Sequence, residues 1–243
     1  MNNQTTIEKM KQMRLRAMAQ AHYTNTQSNI NMELTIDEYL AMLIDREWEN
    51  RQNNKIKTLI TNARFRYPAT IRDIDYTASR NLDKNMFQRL AMLDFITKHE
   101  NVIITGATGT GKSYLAQALG HQACMMLIKT LYFNTAQLMD DLKLARLEGS
   151  YTKTLLAIEK ADLIILDDFG LAAFDGQVRQ ALMEIVERKY DRSSIIISSQ
   201  VPVSGWHQLI GEGTIADAIL DRIVHSSHRI QLEGESLRKN KLK

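Results

Sequence analysis

The chain has 243 residues, enough to bury a full core in one large domain or in a medium and a small one. Its formal charge of +3 is modest but unevenly distributed, and the single cysteine, Cys124, excludes an intrachain disulfide. We find no run of the roughly 20 apolar residues that a membrane helix needs and no secretion-type leader. These features predict a cytoplasmic protein with no membrane partner.

Residues 1 to about 72 are predicted to be entirely helical. Apolar residues recur at helical spacing near the start of the chain, and 25–31 reads as a polar loop. The segment 35–38 has the pattern of a capping box that opens the next helix. A further helix is predicted over 55–65, ending before Pro68 because the residue before a proline disfavours the helical conformation.

Basic residues are concentrated in this helical part. Between residues 51 and 72 there are six basic residues and no acidic one, and a second basic group lies between residues 9 and 16. Such a run is usually a solvated helix face, but a run without acids also suits the phosphates of double-stranded DNA. An insertion at 137–161 adds two weaker candidates. The candidate DNA-binding residues are Arg14, Arg16, Arg51, Lys55, Lys57, Arg64, Arg66, Lys143 and Arg146.

From about residue 73 the pattern changes to alternating strands and helices. A helix is predicted over 84–99, followed by strands at 102–105, 130–134, 163–166, 195–198 and 229–232. Three of these strands are continuously apolar, which is typical of parallel strands covered on both faces. The sequence therefore predicts an α/β fold, a three-layer P-loop NTPase with a five-stranded parallel sheet, preceded by a small all-α domain. The predicted domains are 1–72 and 73–243.

A phosphate-binding loop follows the first predicted strand. Residues 106–113 fit G-x-x-x-x-G-K-[ST], in which Lys112 reaches the β- and γ-phosphates and Ser113 offers its hydroxyl to Mg²⁺. The loop opens a helix, whose N-terminus also favours phosphate. A chance glycine-rich turn is the alternative. The residues expected to bind the nucleotide are Gly106, Ala107, Thr108, Gly109, Thr110, Gly111, Lys112, Ser113 and Tyr114.

Two acids end the strand at 163–166. Asp167 is expected to hold Mg²⁺ opposite Ser113, and Asp168 stands where many ATPases place the carboxylate that polarises the attacking water. An acidic turn is the alternative, since Asp is frequent in turns. Gln200, at the end of the fourth strand, would lie near the γ-phosphate, although a polar strand end explains it equally well. Because no Asn-Lys-x-Asp motif for guanine follows, ATP with Mg²⁺ is the expected cofactor.

Two arginines near the C-terminus are further candidates. Arg222 lies near the end of a predicted helix, and Arg238 follows the last strand. Arginine suits the charge of a phosphoryl group in transfer, from the same or a neighbouring subunit. The residues alone also allow surface ion pairs.

Together these residues resemble the AAA+ ATPases of the helicase-loader clade, most closely the IstB family of transposition helper proteins. The resemblance covers nearly the whole chain. Its carriers, besides the basic N-terminus, are GATGTGKS at 106–113, LIILDDFG at 163–170, IIISSQVPVSGWHQLIG at 195–211 and TIADAILDRIVHSSHRIQLEGESLRK at 214–239. The resemblance implies a sensor role for Gln200, a trans-acting finger at Arg222 and a second sensor at Arg238. It also implies the strand order 5-1-4-3-2.

This resemblance implies an ATP-dependent homo-oligomer that assembles on double-stranded DNA and presents it to an IstA-like transposase. A DnaC-like helicase loader of replication is an alternative in the same fold. A small-molecule phosphotransferase and a nucleotide-gated DNA-binding module with negligible hydrolysis belong to other classes. The first alternative predicts a helicase partner, the second a monomer without DNA stimulation, and the third no effect of Asp168→Asn on turnover.

Overall fold

The computed structural model describes residues 3–28 and 34–237. The chain divides into two compact units, Met1–Thr58 and Leu59–Lys243. In the described residues, no helix is both long and apolar enough to cross a membrane.

The first unit contains α1 (Asn3–Gln12), α2 (Arg16–Ser28) and most of α3 (Ile36–Ala63). The capping box is present at the start of α3, because the Thr35 hydroxyl accepts the Glu38 N–H at 3.3 Å and the Glu38 carboxylate accepts the Thr35 N–H at 2.8 Å. The expected separate helix over 55–65 is wrong. The helix α3 runs unbroken to Ala63, since no glycine or proline interrupts it.

The second unit begins within α3 and has the alternating pattern that the sequence predicts. Short 3-10 helices lie at Ile71–Asp73 and Val203–Gly205. The remaining elements are α4 (Lys84–Ala91), α5 (Asp94–Thr97), β1 (Asn101–Gly106), α6 (Lys112–Met125), β2 (Thr130–Asn134), α7 (Thr135–Leu147), α8 (Tyr151–Glu159), β3 (Leu163–Phe169), α9 (Gly176–Lys189), β4 (Ser194–Ser199), α10 (Trp206–Ile210), α11 (Gly213–Val224) and β5 (Ser227–Leu232).

The five strands form one parallel sheet in the order β2-β3-β4-β1-β5. Both the strands and the expected order 5-1-4-3-2 are confirmed. The central strands β1, β3 and β4 are buried along almost their whole length, as continuously apolar parallel strands must be. Apolar side chains on the two faces build two separate clusters, so helices cover the sheet on both sides. The α/β P-loop architecture is therefore confirmed.

The helix expected over 84–99 is broken in the structure. Leu93 takes a left-handed conformation with φ of 67° between α4 and α5, and its side chain is only 4% exposed. The break turns this apolar side chain into the core, although a left-handed conformation costs about 1 kcal/mol or more for such a residue.

Residues 59–72 belong to the second unit by their packing. The side-chain oxygen of Gln117 on α6 accepts the backbone N–H groups of Arg66 at 2.7 Å and Tyr67 at 2.9 Å. A Cβ added at Gly120 would lie 2.9 Å from the Phe65 ring, so this ring lies directly on α6. The domain boundary at residue 72 stays a prediction, and the packing divides the chain earlier, after Thr58.

Candidate nucleotide-binding site

The loop between β1 and α6 has the backbone that its glycines predict. Gly109 and Gly111 adopt φ values of 84° and 97°, which residues with a Cβ rarely adopt. Space is equally limiting. A Cβ at Gly109 would lie 2.0 Å from the Ser236 hydroxyl, and a Cβ at Gly111 would lie 2.4 Å from a guanidinium nitrogen of Arg80. Curvature and close packing both require glycine at these positions.

Lys112 begins α6 and bends back over the loop. Its ammonium group donates a hydrogen bond to the Ala107 carbonyl at 2.8 Å, and the residue is only 6% exposed. The lysine is thus held across the loop by a neutral acceptor that a phosphate oxygen is able to replace. The loop also stands at the N-terminus of a 14-residue helix, where the helix dipole attracts anions.

Asp167 is fully buried at the end of β3. One carboxylate oxygen accepts the Ser113 hydroxyl at 2.9 Å and also the hydroxyl of Ser198 on β4. The other oxygen accepts the hydroxyl of Tyr132 on β2 at 2.8 Å. Sheet order explains this convergence, since β2 and β4 flank β3, and α6 follows β1, which lies on the other side of β4. Hydroxyl and carboxylate oxygens are the ligands that Mg²⁺ prefers, so the residues fit this ion.

Tyr132 remains a hydrogen-bond donor over the whole physiological pH range. Burial raises the pKa of its phenol strongly, and the charge of Asp167 raises it further. Hydroxyl donors thus satisfy both oxygens of the buried Asp167 carboxylate. The arrangement places carboxylate and hydroxyl oxygens together at the end of the sheet.

Asp168 departs from regular strand geometry. It has φ of 57°, and the pairing of β3 with β4 shifts register between Leu166 and Phe169. The strand predicted to end at 166 thus continues through a bulge. Asn134 donates to the Asp168 carboxylate at 3.1 Å. The bulge turns this second acid away from the first, so the two neighbouring carboxylates face different groups.

Gln200 contacts the phosphate loop directly. Its side-chain oxygen accepts the Thr108 hydroxyl at 2.6 Å. Because β4 lies beside β1, the residue after β4 reaches the loop after β1. The structure thus brings together Lys112, Ser113, Asp167 and Gln200.

Arg222 lies at the opposite end of the sheet. The Asn101 side chain, at the start of β1, donates to the carbonyls of Arg222 at 3.2 Å and Ile223 at 3.1 Å. The six-residue β1 separates this point from the phosphate loop by about 17 Å. The Arg222 guanidinium forms an ion pair with Glu187 at 2.9 Å. Arg238 lies outside the described residues.

Sequence reasoning missed several residues around the site. Tyr132 and Ser198 stand in strands read only as apolar or polar-ended runs. Gln117 looked like an ordinary helix residue, yet it is fully buried and its amide donates to the Ser113 carbonyl at 3.1 Å. Arg80 belongs to no motif. Of these residues, only Gln117 gave a signal in the sequence, because it is a polar residue one helical turn after the phosphate loop.

The candidate DNA-binding residues fall into two kinds. Lys143 forms an ion pair with Asp175 at 2.7 Å, and Arg146 lies 3.4 Å from the Glu184 carboxylate, so acids partly neutralise both. The others are exposed: Arg14, Arg16, Arg51, Lys55, Lys57, Arg64 and Arg66. Of these, Arg51 also forms an ion pair with Glu47 at 2.8 Å.

Solved structures with a similar fold include DnaI and DnaA. The structure of DnaI superposes with a TM-score of 0.60 at 19% identity, covering 72% of this chain and 93% of that one. AMPPCP-bound DnaA from Aquifex aeolicus gives 0.58 at 16% identity, covering 74% of this chain and 56% of that one. These likenesses show that the chain shares its fold with DnaI and DnaA.

Sequence relatives are more specific. An insertion sequence ATP-binding protein, y4pL of Sinorhizobium fredii, is 43% identical over 235 residues, 97% of this chain and 96% of the relative. The ATP-binding protein of insertion sequence IS1162 from Pseudomonas fluorescens is 37% identical over 205 residues, 84% of this chain and 89% of the relative. The family model described as IstB-like ATP binding protein matches residues 8–243. The chain therefore belongs to the IstB-like ATP binding protein family.

Proposed function

We propose that this protein is a Mg²⁺-dependent ATPase that assists the transposition of an insertion sequence. It oligomerises on duplex DNA with ATP between subunits, and it recruits or stimulates a transposase. The observation that best supports ATPase activity is the hydrogen bond of 2.9 Å between Ser113 of the phosphate loop and the buried Asp167. These oxygens lie on two elements that only the folded sheet brings together.

Each residue at this end of the sheet has a distinct role. Lys112 neutralises the β- and γ-phosphates, while Ser113 and Asp167 hold the metal, which offsets the charge of the transferring phosphoryl group. Asp168 polarises the attacking water, and its half-exposed position supports this role. Gln200 orients that water or responds to its loss, since it already contacts Thr108 in the loop.

The position of Arg222 supports a shared site. Its own phosphate loop is about 17 Å away along β1, farther than an arginine side chain spans. An arginine that stabilises phosphoryl transfer from this position must act on the nucleotide of a neighbouring subunit. Arg238 stays a candidate for a second sensor, a role that the resemblance to the family implies.

Exposed basic residues support a DNA contact. In the first unit, an open groove with a volume of about 460 Å³ is lined by Arg14, Arg16 and Arg51, together with Glu47. In the second unit, Arg64 and Arg66 are exposed. Because such contacts act on phosphates, we expect weak sequence preference and strong salt dependence.

Transposition is the process that the sequence relatives support. Their names place them in insertion sequences, and the two described above match 97% and 84% of this chain. The helicase loader remains the competing function, but DnaI resembles this chain only at the level of the fold. Capture experiments with an IstA-like transposase and with a replicative helicase separate the two, because each hypothesis predicts only one partner.

The test of the proposal is steady-state ATPase activity with and without duplex DNA. Lys112→Ala and Arg222→Ala should each lose about 100-fold or more of the stimulated rate. A mixture of the two variants should recover part of the activity, because a mixed interface pairs an intact loop with an intact arginine. Normal hydrolysis by Arg222→Ala contradicts the shared site, and an unchanged rate for Asp168→Asn supports the non-hydrolysing alternative.

A further inference from the structure

Arg80 is a buried cation beside the phosphate loop. It precedes α4 and is only 3% exposed. One terminal nitrogen donates to the Thr110 carbonyl at 3.1 Å, and the other donates to the Asp75 carbonyl at 2.7 Å. Both acceptors are neutral backbone groups. The third nitrogen, Nε, is buried without a hydrogen-bond partner among the residues described.

The hydrogen bond from Arg80 to the Thr110 carbonyl involves a peptide group whose N–H is placed to bind the nucleotide's phosphates. The carbonyl of Thr110 and the N–H of Gly111 belong to one peptide group. In a loop curled around an anion, the N–H groups face the phosphates and the carbonyls face outward. A cation bound to the carbonyl polarises the peptide and makes its N–H a stronger donor. Arg80 therefore acts on the phosphates through the loop, without touching them.

The guanidinium is also close enough to act by its charge. A Cβ on Gly111 would lie 2.4 Å from its terminal nitrogen, so the group lies directly against the loop backbone. Burial lowers the pKa of Arg80, and the nearby Asp75 offsets this only partly. A buried cation whose hydrogen-bond acceptors are neutral is unfavourable in isolation. A polyphosphate on the other side of the same peptide supplies the missing negative charge.

The segment after β5 holds this arrangement in place. The Glu233 N–H donates to the Arg80 carbonyl at 3.0 Å, and the Leu237 N–H donates to the Gly109 carbonyl at 3.0 Å. Gly234, with φ of 90°, passes so close that a Cβ there would lie 2.4 Å from the Ser79 carbonyl oxygen. The segment after β5 thus holds both the backbone of Arg80 and the phosphate loop that Arg80 polarises.

We propose that Arg80 is a positioning residue that strengthens binding of nucleoside di- and triphosphates through the Thr110–Gly111 peptide. The inference rests on the proposed function, because it assumes that the loop binds ATP. It goes beyond that function by assigning part of the phosphate affinity to a residue outside every motif. The loop encloses the β-phosphate, which ADP and ATP share. The binding of both nucleotides should therefore depend on Arg80 to the same extent.

The experiment is calorimetric titration of the full-length protein with ATP and with ADP. Arg80→Gln removes the charge but retains a polar side chain, whereas Arg80→Lys retains the charge. We expect the dissociation constants of both nucleotides to rise about 10- to 100-fold in Arg80→Gln. Arg80→Lys should lose less than Arg80→Gln and stay within about tenfold of the wild type, because lysine keeps the charge although its single ammonium does not reproduce both guanidinium contacts. Thermal unfolding without nucleotide reports any loss of stability separately.

The outcomes distinguish this inference from the proposed function. If the wild-type protein binds neither nucleotide, the proposed function itself is wrong. If the wild type binds both and Arg80→Gln binds equally well, only the role of Arg80 is overturned. A lysine variant as weak as the glutamine variant also overturns it, because shape rather than charge would then matter. Should Arg80→Gln fail to fold, Arg80→Lys alone decides, and a loss of more than about tenfold in it contradicts the proposal.

Discussion

The strand β3 has a buried charge at each end, and the two charges are handled differently. Where β3 ends, the fully buried carboxylate of Asp167 accepts hydrogen bonds from the side-chain hydroxyls of Ser113, Ser198 and Tyr132. Before β3 begins, the ammonium group of Lys189 is 1% exposed and donates to the backbone carbonyls of Glu159 and Ala161. The Asp167 carboxylate is bound by side-chain hydroxyls that can change partners, whereas the Lys189 ammonium is bound by backbone carbonyls.

The difference separates a binding site from a structural contact. Hydroxyl donors can turn towards water, a metal ion or a phosphate, so the surroundings of Asp167 can change when a ligand arrives. The carbonyls around Lys189 belong to the last turn of α8 and the residues after it, and they need a donor in the folded chain. Burial of a charge therefore does not by itself identify a functional site. The chemistry of its partners does.

The largest effect that follows from this comparison is the loss of hydrolysis in Asp167→Asn. The substitution preserves shape but removes the charge that we propose holds Mg²⁺, so we expect the ATPase rate to fall by at least about 100-fold. Lys189→Met is the matched change at the other end of β3 and should keep its ATPase rate within about twofold. The measurement is steady-state hydrolysis at saturating Mg²⁺ and ATP. Equal losses of ATPase rate in both variants would contradict the distinction between a binding site at Asp167 and a structural contact at Lys189.

Much of this end of the sheet could be predicted because its signals are local in sequence. The loop at 106–113 and the acids at 167 and 168 follow apolar strands, and the strands reveal themselves by uninterrupted burial. The partners of Asp167 could not be predicted in this way. Tyr132 and Ser198 reach it only because β2 and β4 flank β3 in a fixed register.

Two other features were hidden from sequence for different physical reasons. The left-handed Leu93 breaks a helix that local propensity would continue, because packing of the side chain outweighs the backbone strain. Arg80 contacts Thr110 across 30 positions of sequence, and nothing around it resembles a motif. Long-range contacts of single residues are decided by the assembled fold, and a pattern of neighbours does not contain them.

The next effect concerns the pH dependence of stability at Lys189. Burial lowers the pKa of this lysine to about 8, below its ordinary value of about 10.4. The unfolded chain therefore binds more protons than the folded chain between these values, and stability gains a contribution of about 3 kcal/mol as pH rises through this window. The penalty is fully present below pH 8. We expect Lys189→Met to lack this contribution.

Urea unfolding of both proteins between pH 7 and pH 10 measures this difference. Other titrating groups contribute equally to both curves, so the free energy of unfolding of the wild type relative to Lys189→Met should rise with pH. ATPase activity at neutral pH serves as the control, because the lysine lies far from the phosphate loop. Parallel stability curves would show that the buried lysine has an ordinary pKa in the folded protein.

The smallest effect is expected for Tyr132→Phe. The substitution removes one hydroxyl from the buried carboxylate of Asp167 and leaves an oxygen without its donor, which costs about 1–2 kcal/mol of stability. Tyr151→Phe is the matched control, since Tyr151 binds Arg146 at 2.9 Å in a half-buried contact away from the phosphate loop. It should cost about 0.5 kcal/mol.

Nucleotide distinguishes the two tyrosine variants more sharply than stability alone. When Mg²⁺ and ATP occupy the site, a cation compensates the oxygen that Tyr132→Phe exposes, so the variant should gain more stabilisation from the ligand than the wild type. Tyr151→Phe should gain the same as the wild type. Unfolding with and without Mg²⁺ and ATP at fixed concentrations gives both values. If Tyr132→Phe gains less than the wild type, its hydroxyl is required to hold Asp167 for the metal, and the partners of this carboxylate are not exchangeable.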